Sequence, residues 1–391
     1  MLPPEIVARL GLKPGGSILV DEESNSLRLR RSVEQLAKVY VHAGSGPHSL
    51  LRESVFARVL EGLVAFEPVP AVLFGGLGEP LTHPRIVEMV ERVKTSGSPR
   101  VELLTDGRSL TEEMSRRLIE AGLDVLWVAL GDEFASGTSA QTPRAPVLEN
   151  IEWFKSVRRR IQVDRLPAKE RTRFYAGLRI RDSWRLPDPV PALGIVFTAT
   201  QTSISSLPWL LNETHRMGAR HFVVTNAPPG PAGVAAQTLY HDRLTVSPFP
   251  TLWSDRLRLP LMDIDDETRE PLAAAIGSYQ RGLERSDTSN VTGRCPFVEA
   301  GATVIGRQGD VFPCLALAGE RDPAAGGVVG SVAPHPVGSL TGGLPGHASL
   351  PAIWRDSAYV DLRRRVQQNC DQEALPMCRG CLWSRGLIVC P

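Results

Sequence analysis

From about residue 38 to residue 230, short apolar runs alternate with amphipathic stretches, and this rhythm restricts the fold of the 391-residue chain more than any other feature. Val39-Tyr40-Val41, Ala71 to Phe74, Val101 to Leu104, Val125 to Leu130, Leu193 to Thr198 and His221 to Thr225 read as strands. They are short and rich in β-branched and aromatic residues, which suits strands better than helices. Between them lie Ser54 to Leu63, Pro84 to Ser96, Thr111 to Ala121, Val147 to Arg159 and Ser206 to Met217, each helix-like. In the second of these, Ile86, Met89, Val90 and Val93 fall on one face. Repeated strand–helix–strand units pair in parallel through right-handed crossovers, and ligands then gather at the carboxyl ends of the strands. The expected class is therefore α/β. The basic, proline-containing stretch 160–190 breaks the rhythm and reads as an insertion or mobile loop.

The flanks differ from this middle. Pro3 to Leu10 is a short amphipathic helix with Ile6, Val7 and Leu10 on one face, followed by a turn at Leu12 to Gly16. Ser17 to Val20 and Ser26 to Arg30 alternate like paired strands joined by acidic turn residues. Residues 1–34 so resemble the swapped-hairpin unit of AbrB-type transcription factors. That resemblance implies a homodimer through residues 2–31, and DNA contact through Arg28, Arg30 and Arg31. The plainer reading is a small dimerising or docking unit. Pro228-Pro229-Gly230-Pro231 closes the α/β region at about residue 230, residues 231–294 form a linker, and residues 295–391 hold all six cysteines.

A net charge of +1 gives no electrostatic case for nucleic acid or an anionic membrane as the main partner. No apolar run approaches eighteen residues, so no transmembrane helix is expected. The N-terminus lacks the pattern of a signal peptide, which predicts a cytoplasmic protein. In that compartment clustered cysteines serve as metal ligands more often than as disulfides.

Two motifs carry chemistry. Gly75-Gly76-Leu77-Gly78-Glu79-Pro80 follows a strand and precedes a helix. Glycines there let a ligand approach the backbone closely, and Glu79 suits a ligand ammonium group. The competing reading is a tight turn with a helix-capping role. The second motif is the cysteine set Cys295, Cys314, Cys370, Cys378, Cys381 and Cys390. Gly309 and Asp310 form a turn between strands Ala302 to Ile305 and Val311 to Phe312, which carries Cys295 and Cys314 to one end. Cys378-x2-Cys381 has the spacing of a metal knuckle. Six thiolates suffice for one four-cysteine [4Fe–4S] cluster, or for two with an open or non-cysteine ligand, and fall short of the eight that two fully cysteine-ligated clusters need. Zinc in a four-cysteine site, and plain reduced thiols in a decayed site, are the alternatives.

Taken with Thr105-Asp106-Gly107 and Leu123 to Val128, the glycine loop is similar to the S-adenosylmethionine-binding core of radical SAM proteins. The cysteine module is similar to that family's SPASM domain, and Leu382 to Gly386 and Asn226 fit the likeness. The resemblance is greatest to radical SAM maturases linked to tungsten-dependent oxidoreductases. It implies a partial (β/α) barrel at 35–230, a SPASM-like domain at 295–391, a [4Fe–4S] cluster, S-adenosylmethionine at Gly75, Gly76, Gly78, Glu79 and Pro80, and a protein or peptide partner such as a tungsten-dependent oxidoreductase. The departure is as informative. The family places C-x3-C-x2-C after the first barrel strand, and alignment on Arg52 puts Pro47, Leu51 and Ser54 at those positions. Proline and leucine have no ligating side-chain atom, and His42 and His48 do not rebuild a three-thiolate site. The expectation is a catalytically degenerate homologue that carries a cluster and assists maturation of a metalloenzyme or peptide. Two alternatives stand beside it: an active radical enzyme with an unorthodox cluster site, and a DNA-binding regulator with a barrel sensor.

Other polar residues read more simply. His83 orients the next helix, and His215 and His221 lie at the surface. Asp263, Asp265, Asp266 and Glu267 begin a helix. Arg158 to Arg160 and Arg363 to Arg365 read as solvated helix faces.

Overall fold

The computed structural model describes residues 18–23, 26–44, 50–131, 146–176, 191–226, 295–318, 335–342 and 349–368, with short pieces at 239, 257–258, 270–271, 273–274, 321–322, 327–328, 378, 381 and 383. The helix expected at 3–10, the carboxylates of 263–267, and Pro47, His48, Cys370 and Cys390 lie outside these residues.

β1 (Ile18–Glu23) and β2 (Ser26–Arg31) form the expected antiparallel hairpin, with Val20 opposite Leu29. The alternating region then gives β3 (Lys38–Val41), α1 (Glu53–Val64), β4 (Ala71–Phe74), α2 (Ile86–Thr95), β5 (Val101–Thr105), α3 (Glu112–Glu120) and β6 (Val125–Leu130). It continues through α4 (Pro146–Asp164), α5 (Ala168–Tyr175), β7 (Ala192–Ala199), α6 (Leu207–Arg216) and β8 (Ala219–Asn226). From β3 to β8 each strand pairs in parallel with the next, as in a partial (β/α) barrel. A two-residue strand, β9 (Leu257–Arg258), extends the sheet beyond β8.

The strand pattern builds two cores. Val39, Val41, Val72, Phe74, Leu126, Val128, Ile195 and Phe197 face the helices. The residues between them, Tyr40, Leu73, Trp127 and Val196, face the other way into a second cluster. This is the period-two alternation of a strand applied to a sheet buried on both faces. Trp127 fits because position 194 has no side chain: a Cβ there would stand 2.2 Å from the indole.

The second cluster is completed by the C-terminal region. α7 (Pro296–Glu299), β10 (Ala302–Ile305) and β11 (Asp310–Phe312) contribute Phe297, Val304 and Phe312 to it. β10 pairs in parallel with β3, and β14 (Gly338–Ser339) pairs with β11, so one ten-stranded sheet runs through both regions. β12 (Arg321–Asp322) and β13 (Gly327–Val328) form a separate hairpin. α8 (Leu350–Arg355) and α9 (Ser357–Gln368) follow, divided at Asp356.

Three expectations need correction. The stretch 160–190 begins as helix: α4 runs on to Asp164 and α5 follows. The apolar stripe that buries Phe154 and Val157 continues to Val163, and its burial outweighs the density of arginines. Arg158 is not solvated. It is 4% exposed, donates to the Pro191 carbonyl oxygen at 2.9 Å, and burial lowers its pKa to about 10. Arg363 is likewise buried, donating to Val33 O and Trp354 O between the Trp354 and Tyr359 rings.

Candidate functional site

The glycine loop sits at the carboxyl end of β4. Gly75, Gly76 and Gly78 all have positive φ, at 133°, 89° and 67°. A Cβ on Gly75 would approach Leu104 O to 2.8 Å, and one on Gly76 would approach Leu315 Cδ2 to 2.9 Å. Both positions therefore need glycine for conformation and for space. Glu79 follows in extended backbone and caps the 3-10 turn Pro80–Thr82. Its Oε1 accepts from the Leu81 N–H at 2.9 Å and from the Thr105 hydroxyl at 2.7 Å. Its Oε2 accepts from the Asp106 N–H at 2.6 Å. Burial pushes the Glu79 pKa up against these hydrogen bonds, and the nearby charge of Asp106 pushes the same way. A carboxylate has about four acceptor positions, so protein donors take most of them. Sequence suggested either a ligand contact or a capping role for Glu79, and the structure provides the cap.

The loop after β3 shows what occupies the ligand positions of the missing thiolates. Leu51 is 2% exposed and packs in the helix-side core with Val55 and Leu81. Ser54 is exposed on the first turn of α1. The two side chains thus point into different surroundings. The segment is also fastened: Leu51 N donates to Ala43 O, Glu79 N donates to Gly44 O, and His83 meets Leu51 O through Nε2 at 3.1 Å. The other ring nitrogen of His83 accepts from the Arg85 N–H at the start of α2. That acceptor role places the ring hydrogen on Nε2, facing Leu51 O. His83 is buried and does orient the next helix, and it clamps the Leu51 loop as well.

The C-terminal thiols converge. The β10–β11 hairpin turns at Gly309, whose φ is 93°, and brings Cys295 and Cys314 against one apolar cluster with Phe297, Leu315 and Trp383. Cys295 begins α7, and Cys314 begins the short turn Leu315–Leu317. Cys381 N donates to Cys378 O at 3.1 Å, closing the knuckle turn. All four are free thiols. Burial pushes Cys295 up to about 12 and Cys314 well above the ordinary thiol range. Each of those two also feels the charges of Cys378 and Cys381, and burial raises Cys378 as well. Deprotonated, such a set needs a cation among it. Among the described residues no three His, Cys, Asp or Glu side chains close up around a single ion. Sulfurs about one zinc stand roughly 3.8 Å apart, given Zn–S bonds of about 2.3 Å. A [4Fe–4S] core spreads its four thiolates wider, and soft thiolates suit either group.

Two contacts escaped the sequence reading. Leu315, next to Cys314, touches Gly76 and joins the cysteine segment to the glycine loop. Nothing local signals a contact across that sequence separation. At the opposite end of the sheet, Glu102 is buried against Lys38 Nζ at 3.2 Å and Trp127 Nε1 at 3.0 Å, with Arg100 alongside. Burial raises its pKa, but the Lys38 and Arg100 charges and the Trp127 hydrogen bond outweigh it, and the value is lowered. His221 stacks near Trp127, with ring centroids 5.6 Å apart.

Comparison with known proteins bears on the same regions. Residues 295–382 match the SPASM family, an iron–sulfur cluster-binding domain. A curated relative, the tungsten-containing aldehyde ferredoxin oxidoreductase cofactor-modifying protein of Pyrococcus furiosus, is 21% identical over 359 residues, covering 86% of this chain and 88% of the relative. Solved structures include Streptococcus suis SuiB bound to S-adenosylmethionine, with 11% identity, a TM-score of 0.48 and coverage of 89% of this chain and 70% of that one. BtrN in complex with AdoMet and 2-DOIA gives 12% identity, a TM-score of 0.39 and coverage of 88% and 92%.

Proposed function

We propose that this chain, a radical SAM/SPASM maturase-like protein with an iron–sulfur domain at 295–382, no longer makes a radical. We read it as a cluster-carrying accessory protein in the maturation of a metalloenzyme or peptide. Leu51 carries this reading: the second ligand position of the expected three-thiolate loop is a core leucine at 2% exposure, held by His83. Without that site, S-adenosylmethionine would lose the iron that anchors its amino and carboxylate groups, and the electron source for cleavage. The six C-terminal cysteines, Cys295, Cys314, Cys378 and Cys381 among them, would supply the ligands of a cluster there, which would provide one-electron transfer. The relative's name, which makes it a modifier of the cofactor of a tungsten-containing oxidoreductase, supports a protein of that kind as the partner.

The test is reductive incubation of anaerobically purified, iron-reconstituted protein with S-adenosylmethionine, followed by chromatography. The reading predicts no 5′-deoxyadenosine above the no-enzyme control. Turnover to 5′-deoxyadenosine would establish an active radical enzyme instead.

A further inference from the structure

Between Lys155 and Arg185 the sequence carries eleven Lys and Arg against three Asp and Glu, a local charge of +8 in a chain whose total is +1. The rest of the chain is therefore net −7. The described part of this segment is the second half of α4 together with α5. Trp153 and Tyr175, on these two helices, are 51% and 63% exposed, and with Val64 they are the exposed large hydrophobics among the described residues. Trp153, Ser156 and Arg160 recur at i, i+3 and i+7, which places them on one helix face spanning about 10 Å. Arg165 and Lys169 are exposed and have no ion-pair partner among the described residues. Arg160 meets Glu112 at 3.3 Å, but both are exposed and such a pair holds little in water.

We infer that the exposed face of α4 and α5 is a docking surface for an acidic polypeptide segment of the partner. This deepens the accessory-protein reading above, and rests on it for there being a protein partner. Two observations favour polypeptide over nucleic acid. Among the described side chains of the face, Arg159, Arg160, Arg165 and Arg171 outnumber Lys155 and Lys169 and stand with Trp153 and Tyr175, and Arg, Trp and Tyr are enriched in protein interfaces while Lys is depleted. The net positive excess comes from one segment and the rest of the chain is net −7, so an extended polyanion would run onto a surface of net negative charge. The surface also lies away from the glycine loop, because Arg158 of α4 reaches Pro191 at the amino end of β7. A partner seated there leaves the carboxyl ends of the strands open.

Fluorescence anisotropy on the full chain tests this with labelled decaglutamate, a Gly-Ser peptide of equal length and a single-stranded decanucleotide. Decaglutamate should bind most tightly and weaken with salt. Arg165→Glu with Lys169→Glu should lower its affinity about tenfold, as expected for steering charges. Trp153→Ser should lower it severalfold with little change in salt dependence. Unchanged affinity in the charge-reversed variant would overturn the proposal, as would tighter binding of the oligonucleotide or no binding by the unaltered chain. Iron is counted in the same preparations. Failure of peptide binding with a normal iron count would refute the docking surface alone, whereas missing iron with intact binding would refute the cluster-carrying reading alone.

Discussion

Replacing Glu79 by alanine separates a structural from a ligand-facing glycine loop. The carboxylate accepts from Leu81 N, Thr105 Oγ1 and Asp106 N. Alanine leaves these three donors without their acceptor. A buried donor without a partner costs about 1–3 kcal/mol. The donors are only partly enclosed, and removing a carboxylate whose pKa burial has raised returns some free energy. The net loss should be about 3 kcal/mol rather than the full sum. Urea unfolding by circular dichroism should show it, and amide exchange should rise locally at 79–82 and 105–107. Glu79→Gln should fall between, because its amide meets the Asp106 N–H with a donor. The pH dependence has a definite sign. A carboxyl with a raised folded pKa binds protons more readily when folded, so its stability term falls as pH rises from about 4.5 through the folded value. Glu79→Ala should remove that term. If stability and exchange are unchanged while S-adenosylmethionine binding is lost, the carboxylate faces a ligand and the capping argument fails.

Other perturbations give distinct outcomes. Gly76→Ala combines a φ of 89° with a 2.9 Å approach to Leu315, and should cost about 1–3 kcal/mol in urea unfolding, part of it recovered by adding Leu315→Ala. Recovery of the whole loss would show that the backbone conformation is not strained. Glu102→Gln leaves Lys38 without a counter-charge beside the buried Trp127, and should cost about 3 kcal/mol. Because the folded pKa of Glu102 is lowered, its stabilisation is present above about 4.5 and lost as pH falls through the folded value. The variant should therefore show a shallower acid decline, and an unchanged one would contradict the assignment.

The barrel was legible because its strands and helices are short-range patterns: every strand from Val39 to Thr225 emerges within two residues of its expected ends. What sequence missed depends on distance or on mixed side chains. The pairing of β10 with β3 joins Val304 to Tyr40, and no local pattern encodes it. Arg363 looked solvated because it is charged, yet Tyr359, Arg363 and Gln367 recur every four residues on the buried face of α9. That spacing was the available signal. In the candidate site, the loss of thiolates at Leu51 and Ser54 was readable from the residues alone. Their opposite surroundings, and the convergence of Cys295 and Cys314 with the Cys378–Cys381 knuckle, required the fold.

The central claim is that metal chemistry resides in the C-terminal thiols and not at the barrel mouth. Iron per chain, measured on anaerobically reconstituted protein with and without Cys378→Ala and Cys381→Ala, tests it most directly. The account predicts about four irons in the unaltered chain, as one [4Fe–4S] cluster requires, and iron near zero in the double variant. A cluster's iron retained in the double variant, or none in the unaltered chain, would contradict it.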